Sequence, residues 1–134
     1  MLAHETRVVI DKDSDVVTAR QKGRDLALQA GLSGTTLMLV ATAISEVARN
    51  IVVYAKCGEI VLGITQHAGR RGIMVIARDN GPGFPDIGGA TRDGYSTGRS
   101  LGLGLPGARR LMDDFDIVSE VGKGTTITMK KWGR

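Results

Sequence analysis

The chain has 134 residues, of which 42% are hydrophobic and 24% charged, and its formal net charge is +4. That length is enough for one domain with a real core and too short for two, so residues 1–134 are expected to form a single domain. Only 4% of residues are aromatic, which leaves no stacking platform for single-stranded nucleic acid. No run approaches the ~20 apolar residues of a membrane span, and Met1–Asp11 lacks a signal-peptide pattern. The single Cys57 cannot form an internal disulfide, which fits a reducing cytosol. Lysines and arginines are scattered without a long basic run. Such a surface suits a nucleotide or an acidic partner; a cytoplasmic protein with no nucleic-acid or membrane contact is expected.

In chain order, Thr6–Ile10 is rich in β-branched residues and predicts a strand. Asp13-Ser14-Asp15 is a cap-like cluster opening a helix to about Ala30, with Gly31 as its stop. Val16, Ala19, Gly23, Leu26, Ala27 and Ala30 supply its apolar stripe. Ser33 then caps a second helix reaching about Val53, with Val40, Ile44, Val47 and Ile51 on one face. At about 100° per residue, Glu46 and Asn50 flank that stripe and Arg49 points roughly opposite. Glu59–Gln66 and Gly72–Arg78 predict a hairpin joined by the turn His67-Ala68-Gly69-Arg70-Arg71.

From Asp79 to Leu101 the chain is glycine-rich and aperiodic, as in a lid or binding loop. The 19 glycines are roughly twice average usage, and they cluster between Gly81 and Gly124. Leu103–Met112 predicts a helix with Pro106 near its first turn. Phe115–Glu120 and Thr125–Lys131 predict a last strand pair around Val121-Gly122-Lys123-Gly124. The order β α α β β, lid, α β β implies an α/β (α+β) two-layer sandwich. About three helices cover one face of a largely antiparallel sheet.

Four short pieces carry the chemistry. Glu46 and Asn50 lie one helical turn apart on one face, where a carboxylate and a carboxamide beside an apolar stripe require a use. Asp79-Asn80-Gly81-Pro82-Gly83 follows a strand; its carboxylate can accept from an exocyclic amine such as adenine N6. Gly81 and Gly83 let the backbone pass close to a flat ring. Leu101-Gly102-Leu103-Gly104-Leu105 leads into a helix whose N-terminal N–H groups suit phosphates. Gly122-Lys123-Gly124-Thr125 is a tight turn before the last strand, with Thr125 placed to hydrogen-bond near the base.

This set resembles the four nucleotide-binding boxes of the gyrase/Hsp90/histidine-kinase/MutL ATPase superfamily, whose Bergerat fold is an α/β sandwich with a mostly antiparallel mixed sheet. Within it the chain is similar to the bacterial anti-sigma-type serine/threonine kinases, especially the stressosome switch kinases. The likeness runs through Ala19-Arg20-Gln21, Thr42–Ile51, Asp93-Gly94-Tyr95-Ser96-Thr97 and Gly104–Asp113. It implies an ATP-dependent protein kinase with Mg²⁺. Glu46 would be the catalytic base, and Asn50 the magnesium ligand. Asp79, Gly81, Gly83, Thr97, Gly98, Arg99, Ser100, Leu101, Gly102, Leu103, Gly104, Leu105 and Thr125 would line the ATP site. The substrates implied are STAS-domain scaffold proteins of a stressosome, whose phosphorylation releases the kinase to a downstream effector. The related kinases carry Arg-Ser directly before the third box. Here Leu101 intervenes after Arg99-Ser100, so Arg99 is a candidate for the γ-phosphate contact.

Each piece also has a plainer meaning. Asp79 before glycines is a common turn, and Arg109-Arg110 a solvated helix face. Lys123 is followed by Gly124, which excludes a Walker A loop. His4 and His67 have no metal-ligand spacing, and Cys57 has no histidine partner that would make it a nucleophile. Two rival functions remain at this level. One is a nucleotide-regulated anti-sigma-type binding module with little catalysis. The other is a histidine-kinase fragment, which the absence of histidine from Ser14–Ala30 disfavours.

Overall fold

A computed structural model of the protein describes residues 2–83 and 104–133. In chain order the elements are β1 (Ala3–Ile10), α1 (Asp13–Gln29), α2 (Thr35–Asn50), a π-helical turn (Ile51–Ala55), β2 (Gly58–His67), β3 (Arg70–Asp79), α3 (Gly104–Leu111), β4 (Asp114–Glu120) and β5 (Gly124–Trp132). The strands form one sheet in the order β1-β2-β3-β5-β4, and every pairing is antiparallel.

Alternation along the strands decides which face is covered. Val8 and Ile10 of β1, Ile60, Leu62 and Ile64 of β2, Ile73, Val75 and Ala77 of β3, and Ile127 and Met129 of β5 all bury their side chains. They meet Ala19 and Leu26 of α1, Val40, Ile44 and Val47 of α2, and Leu105 and Ala108 of α3 in one core. Intervening residues such as Arg7, Val9 and Arg78 face away from the helices, and Glu59 there pairs with both Arg7 and Arg78.

Helix α2 is the central helix. Leu37, Val40, Ala41 and the whole run Ala43–Ala48 are buried, because α1, α3 and the sheet surround it. Continued through the π-helical turn it spans 21 residues, Thr35–Ala55, long and apolar enough by composition to cross a bilayer. The expectation that no stretch reaches that length therefore fails here. More than half of its apolar window is buried inside the fold, which makes it a core helix.

The helix starts differ from the sequence expectation. The N-cap of α1 is Lys12, and Asp15 reaches back so that its Oδ2 accepts the N–H groups of Asp11 and Lys12 at 2.9 and 3.1 Å. That supplies the first turn with an acceptor and a favourable negative charge. Gly34 rather than Ser33 is the N-cap of α2, and no side chain caps it. The β2–β3 connection is also tighter than the five residues expected. Only Ala68 and Gly69 lie outside the strands, both at positive φ (52° and 79°), as in a two-residue hairpin whose twist matches the strands.

Candidate active site

The site is assembled at one end of the sheet. Register places Gly58 of β2 opposite Asp79 of β3, and Asp79 opposite Thr125 of β5. The end of β3 therefore lies between the start of β2 and the start of β5. Asp79 Oδ1 accepts the Gly81 N–H at 2.9 Å, closing an Asx-type turn that fixes the carboxylate. Gly81 sits against the π-helical turn: a Cβ there would lie 2.6 Å from Ala55 Cβ and 2.8 Å from Ala55 Cα. The turn beginning one residue after Asn50 thus forms the floor on which the Asp79 loop rests.

The β4–β5 turn closes the other side. Gly122 N–H donates to the Pro82 carbonyl at 2.9 Å. Gly124 has φ +121°, and a Cβ on it would strike the Asp79 carbonyl oxygen, so only glycine fits. Thr125 is 4% exposed, and its Oγ1 shares a 2.9 Å hydrogen bond with Ser119 Oγ. Asp79, Gly81, Gly83 and Thr125 are accordingly brought together by backbone contacts between two loops.

Glu46 is 6% exposed, which rules out an ordinary surface glutamate. Its Oε2 accepts the Gly104 N–H at 2.8 Å, and its Oε1 accepts Nη1 of Arg49 at 3.0 Å. Gly104 opens α3, so the carboxylate answers one of the unsatisfied N–H groups of that helix start, where negative charge is favoured. Leu105, the next residue, is buried in the core. Arg49 does not point away, as the helical wheel implied. Its long side chain folds back over one turn to Glu46, and this i,i+3 pair crosses the border between core and surface.

Asn50 is half-buried at the end of α2, one turn beyond Glu46. Among the described residues no three His, Cys, Asp or Glu side chains gather into a metal-binding group. A carboxamide oxygen completed by phosphates and water is nevertheless a donor set that suits Mg²⁺, which rarely uses an all-protein cage. The predicted residues Thr97, Gly98, Arg99, Ser100, Leu101, Gly102 and Leu103 lie outside the described residues. Cys57 is exposed, and His67 lies near Trp132, with ring centroids 6.3 Å apart.

Three contributors escape a motif search. Arg49 was visible only as an i,i+3 charge pair, and Ala55 carries no chemical signal. Ser119 depends on strand register that becomes legible only once the last hairpin is paired.

Residues 10–131 match the family model of the histidine kinase-like ATPase domain. The chain is 47% identical over 120 residues to the serine/threonine-protein kinase RsbT of Bacillus subtilis (strain 168), covering 90% of each chain. It is 31% identical over 114 residues to an anti-sigma F factor of Geobacillus stearothermophilus, covering 78% of this chain and 77% of that one. An anti-sigma F factor of Clostridium kluyveri is likewise 31% identical, over 69% of this chain and 68% of its own. The chain therefore belongs to the histidine kinase-like ATPase domain family and, within it, to the anti-sigma-type protein serine/threonine kinases.

Proposed function

We propose that this chain is the kinase of a bacterial partner-switching module: a cytoplasmic single-domain enzyme that uses ATP and Mg²⁺ to phosphorylate a Ser or Thr on STAS-domain scaffold proteins of a stressosome. Release from the phosphorylated scaffold then frees it to activate a downstream effector. The observation that carries the catalytic part is the buried carboxylate of Glu46, one turn from Asn50 and in contact with the first N–H of α3. The likeness to a kinase of that type supports the partner-switching part.

In this scheme Asp79 accepts the exocyclic amine of adenine, held in place by its own turn. Thr125, beside it in register, assists at the base. Gly81 and Gly83 allow the ring to approach the backbone, and the start of α3, beyond the Gly104 N–H that Glu46 already accepts, faces the phosphates through the N–H groups from Leu105 on. Asn50 would hold Mg²⁺, which supplies charge neutralisation on the phosphates. Glu46 takes the proton of the acceptor hydroxyl as that oxygen bonds to the γ-phosphorus; the bond to the β–γ bridging oxygen breaks, and ADP leaves with the electron pair. Positioning and electrostatics supply most of the rate, as is general for phosphoryl transfer.

Two variants test the scheme. Asp79→Asn is expected to abolish ATP binding in calorimetry, and Glu46→Gln to bind ATP but lose transfer of radiolabelled phosphate to a STAS-domain protein. Undiminished transfer in both variants would sink it.

One observation favours a second reading. Both oxygens of Glu46 already accept hydrogen bonds, as they would in a structural tether of α3 within a nucleotide-regulated binding module. In that case Glu46→Gln still releases its protein partner on addition of ATP, and no phosphoprotein forms with the parent chain either.

A further inference from the structure

A carboxylate has two oxygens, and in Glu46 they are already told apart. Oε1 accepts Nη1 of Arg49, and Oε2 accepts the Gly104 N–H. Oε2 is thus the oxygen on the side of the glycine-rich helix start, where phosphates are expected. The Arg49 side chain is 39% exposed and that of Glu46 only 6%, so the cation reaches inward from the rim to a packed anion. Val47 and Ala48, between the partners, are fully buried, which fixes the backbone carrying both. The terminal torsion of a glutamate is broad, so packing alone does not choose which oxygen faces which way. Two donors do, Arg49 on Oε1 and the Gly104 N–H on Oε2, and of these only Arg49 is a side chain that substitution can remove.

From this geometry we infer that Arg49 is a positioning residue for phosphoryl transfer. Its guanidinium holds Glu46 Oε1 and so keeps Oε2 at the start of α3, where its lone pair not used by the Gly104 N–H is offered to the acceptor hydroxyl. The inference rests on Glu46 acting as the proton acceptor. Oε2 removes the hydroxyl proton, the new O–P bond forms, and the bond to the ADP oxygen breaks, as described above. Arg49 touches neither ATP nor acceptor in this account. Its removal therefore lowers turnover and leaves nucleotide affinity intact. A misplacement on the order of 1 Å in such a group costs about 100-fold in rate.

The test is a double-mutant cycle with ATP and a STAS-domain acceptor, using Arg49→Met, Arg49→Lys, Glu46→Gln and the double variant. Arg49→Met is expected to lower kcat by about 10- to 100-fold while KM for ATP stays within about twofold. Arg49→Lys, which keeps a donor and a charge, recovers part of that loss. In the Glu46→Gln background Arg49→Met has no further effect, because the group it positions is gone. Thermal unfolding and calorimetric ATP affinity accompany each variant. If Arg49→Met fails to fold, Arg49→Gln takes its place in the cycle. Full turnover in Arg49→Met, a raised KM with unchanged kcat, or additive losses in the double variant each overturn the inference. If Glu46→Gln loses transfer and Arg49→Met does not, only this inference falls. If Glu46→Gln keeps full transfer, the proton-acceptor role itself falls, and this inference with it.

Discussion

Glycine 124 shows how little freedom single residues have at this site. Its backbone is left-handed, and the Asp79 carbonyl occupies the space a side chain would need. Gly124→Ala combines a strained φ with a backbone clash, and we expect it to cost about 2–4 kcal/mol. Chemical denaturation gives that value directly, and an unchanged midpoint would contradict the close approach described. The same variant displaces Asp79, so it should weaken ATP binding as well. At this scale the sequence was informative wherever chemistry and spacing coincide. Glu46 and Asn50 stand four residues apart on a helix, and that spacing alone put them on one face. Arg49 was misjudged because a wheel projects Cα positions, whereas an arginine reaches across a full turn to its partner.

Among the elements, α2 with its π-helical turn has the largest influence on the site. It carries Glu46 and Asn50, and through Ala55 it supports the loop after Asp79. The helix carrying Glu46 and Asn50 and the loop after Asp79 therefore meet at Ala55 and Gly81. Gly81→Ala is expected to lower ATP affinity by about tenfold or more, since the added methyl meets backbone as well as a side chain. Adding Ala55→Gly to that variant should restore part of the affinity; calorimetry on both decides whether the contact is the cause. The helices and the two hairpins were legible because apolar periods of 3.6 and 2 are written into side chains. The π-helical turn was not, because an extra residue in a helical turn leaves no mark in an apolar sequence. Ser33 looked like the cap of α2, but the chain takes its sharp turn at Gly34, where positive φ is available. The turn at Ala68-Gly69 was placed correctly yet drawn too long, since alanine rarely signals a left-handed position.

Viewed as one molecule, the protein places the candidate site at one end of its sheet, and among the described residues the core lies between five strands and the helices α1, α2 and α3. Binding at such an end stabilises the fold by mass action. ATP at a hundred times its dissociation constant should add about 2.7 kcal/mol and raise the thermal midpoint by roughly 5–10 °C. Asp79→Asn should show no such rise; an equal shift in that variant would place the nucleotide elsewhere. The opposite end of the sheet holds the single tryptophan. Trp132 pairs with Gly72 in register, seven residues along β3 from Asp79, or roughly 23 Å away. Its indole N–H donates to Asp114 Oδ2 at 2.9 Å, and the Arg70 guanidinium carbon lies 5.8 Å from its ring. The tryptophan emission of this protein therefore originates far from the proposed nucleotide site. It is an optical gauge of strand pairing between β3, β4 and β5, sensitive to denaturation and quiet during an ATP titration, so the two equilibria can be followed in one cuvette through separate signals.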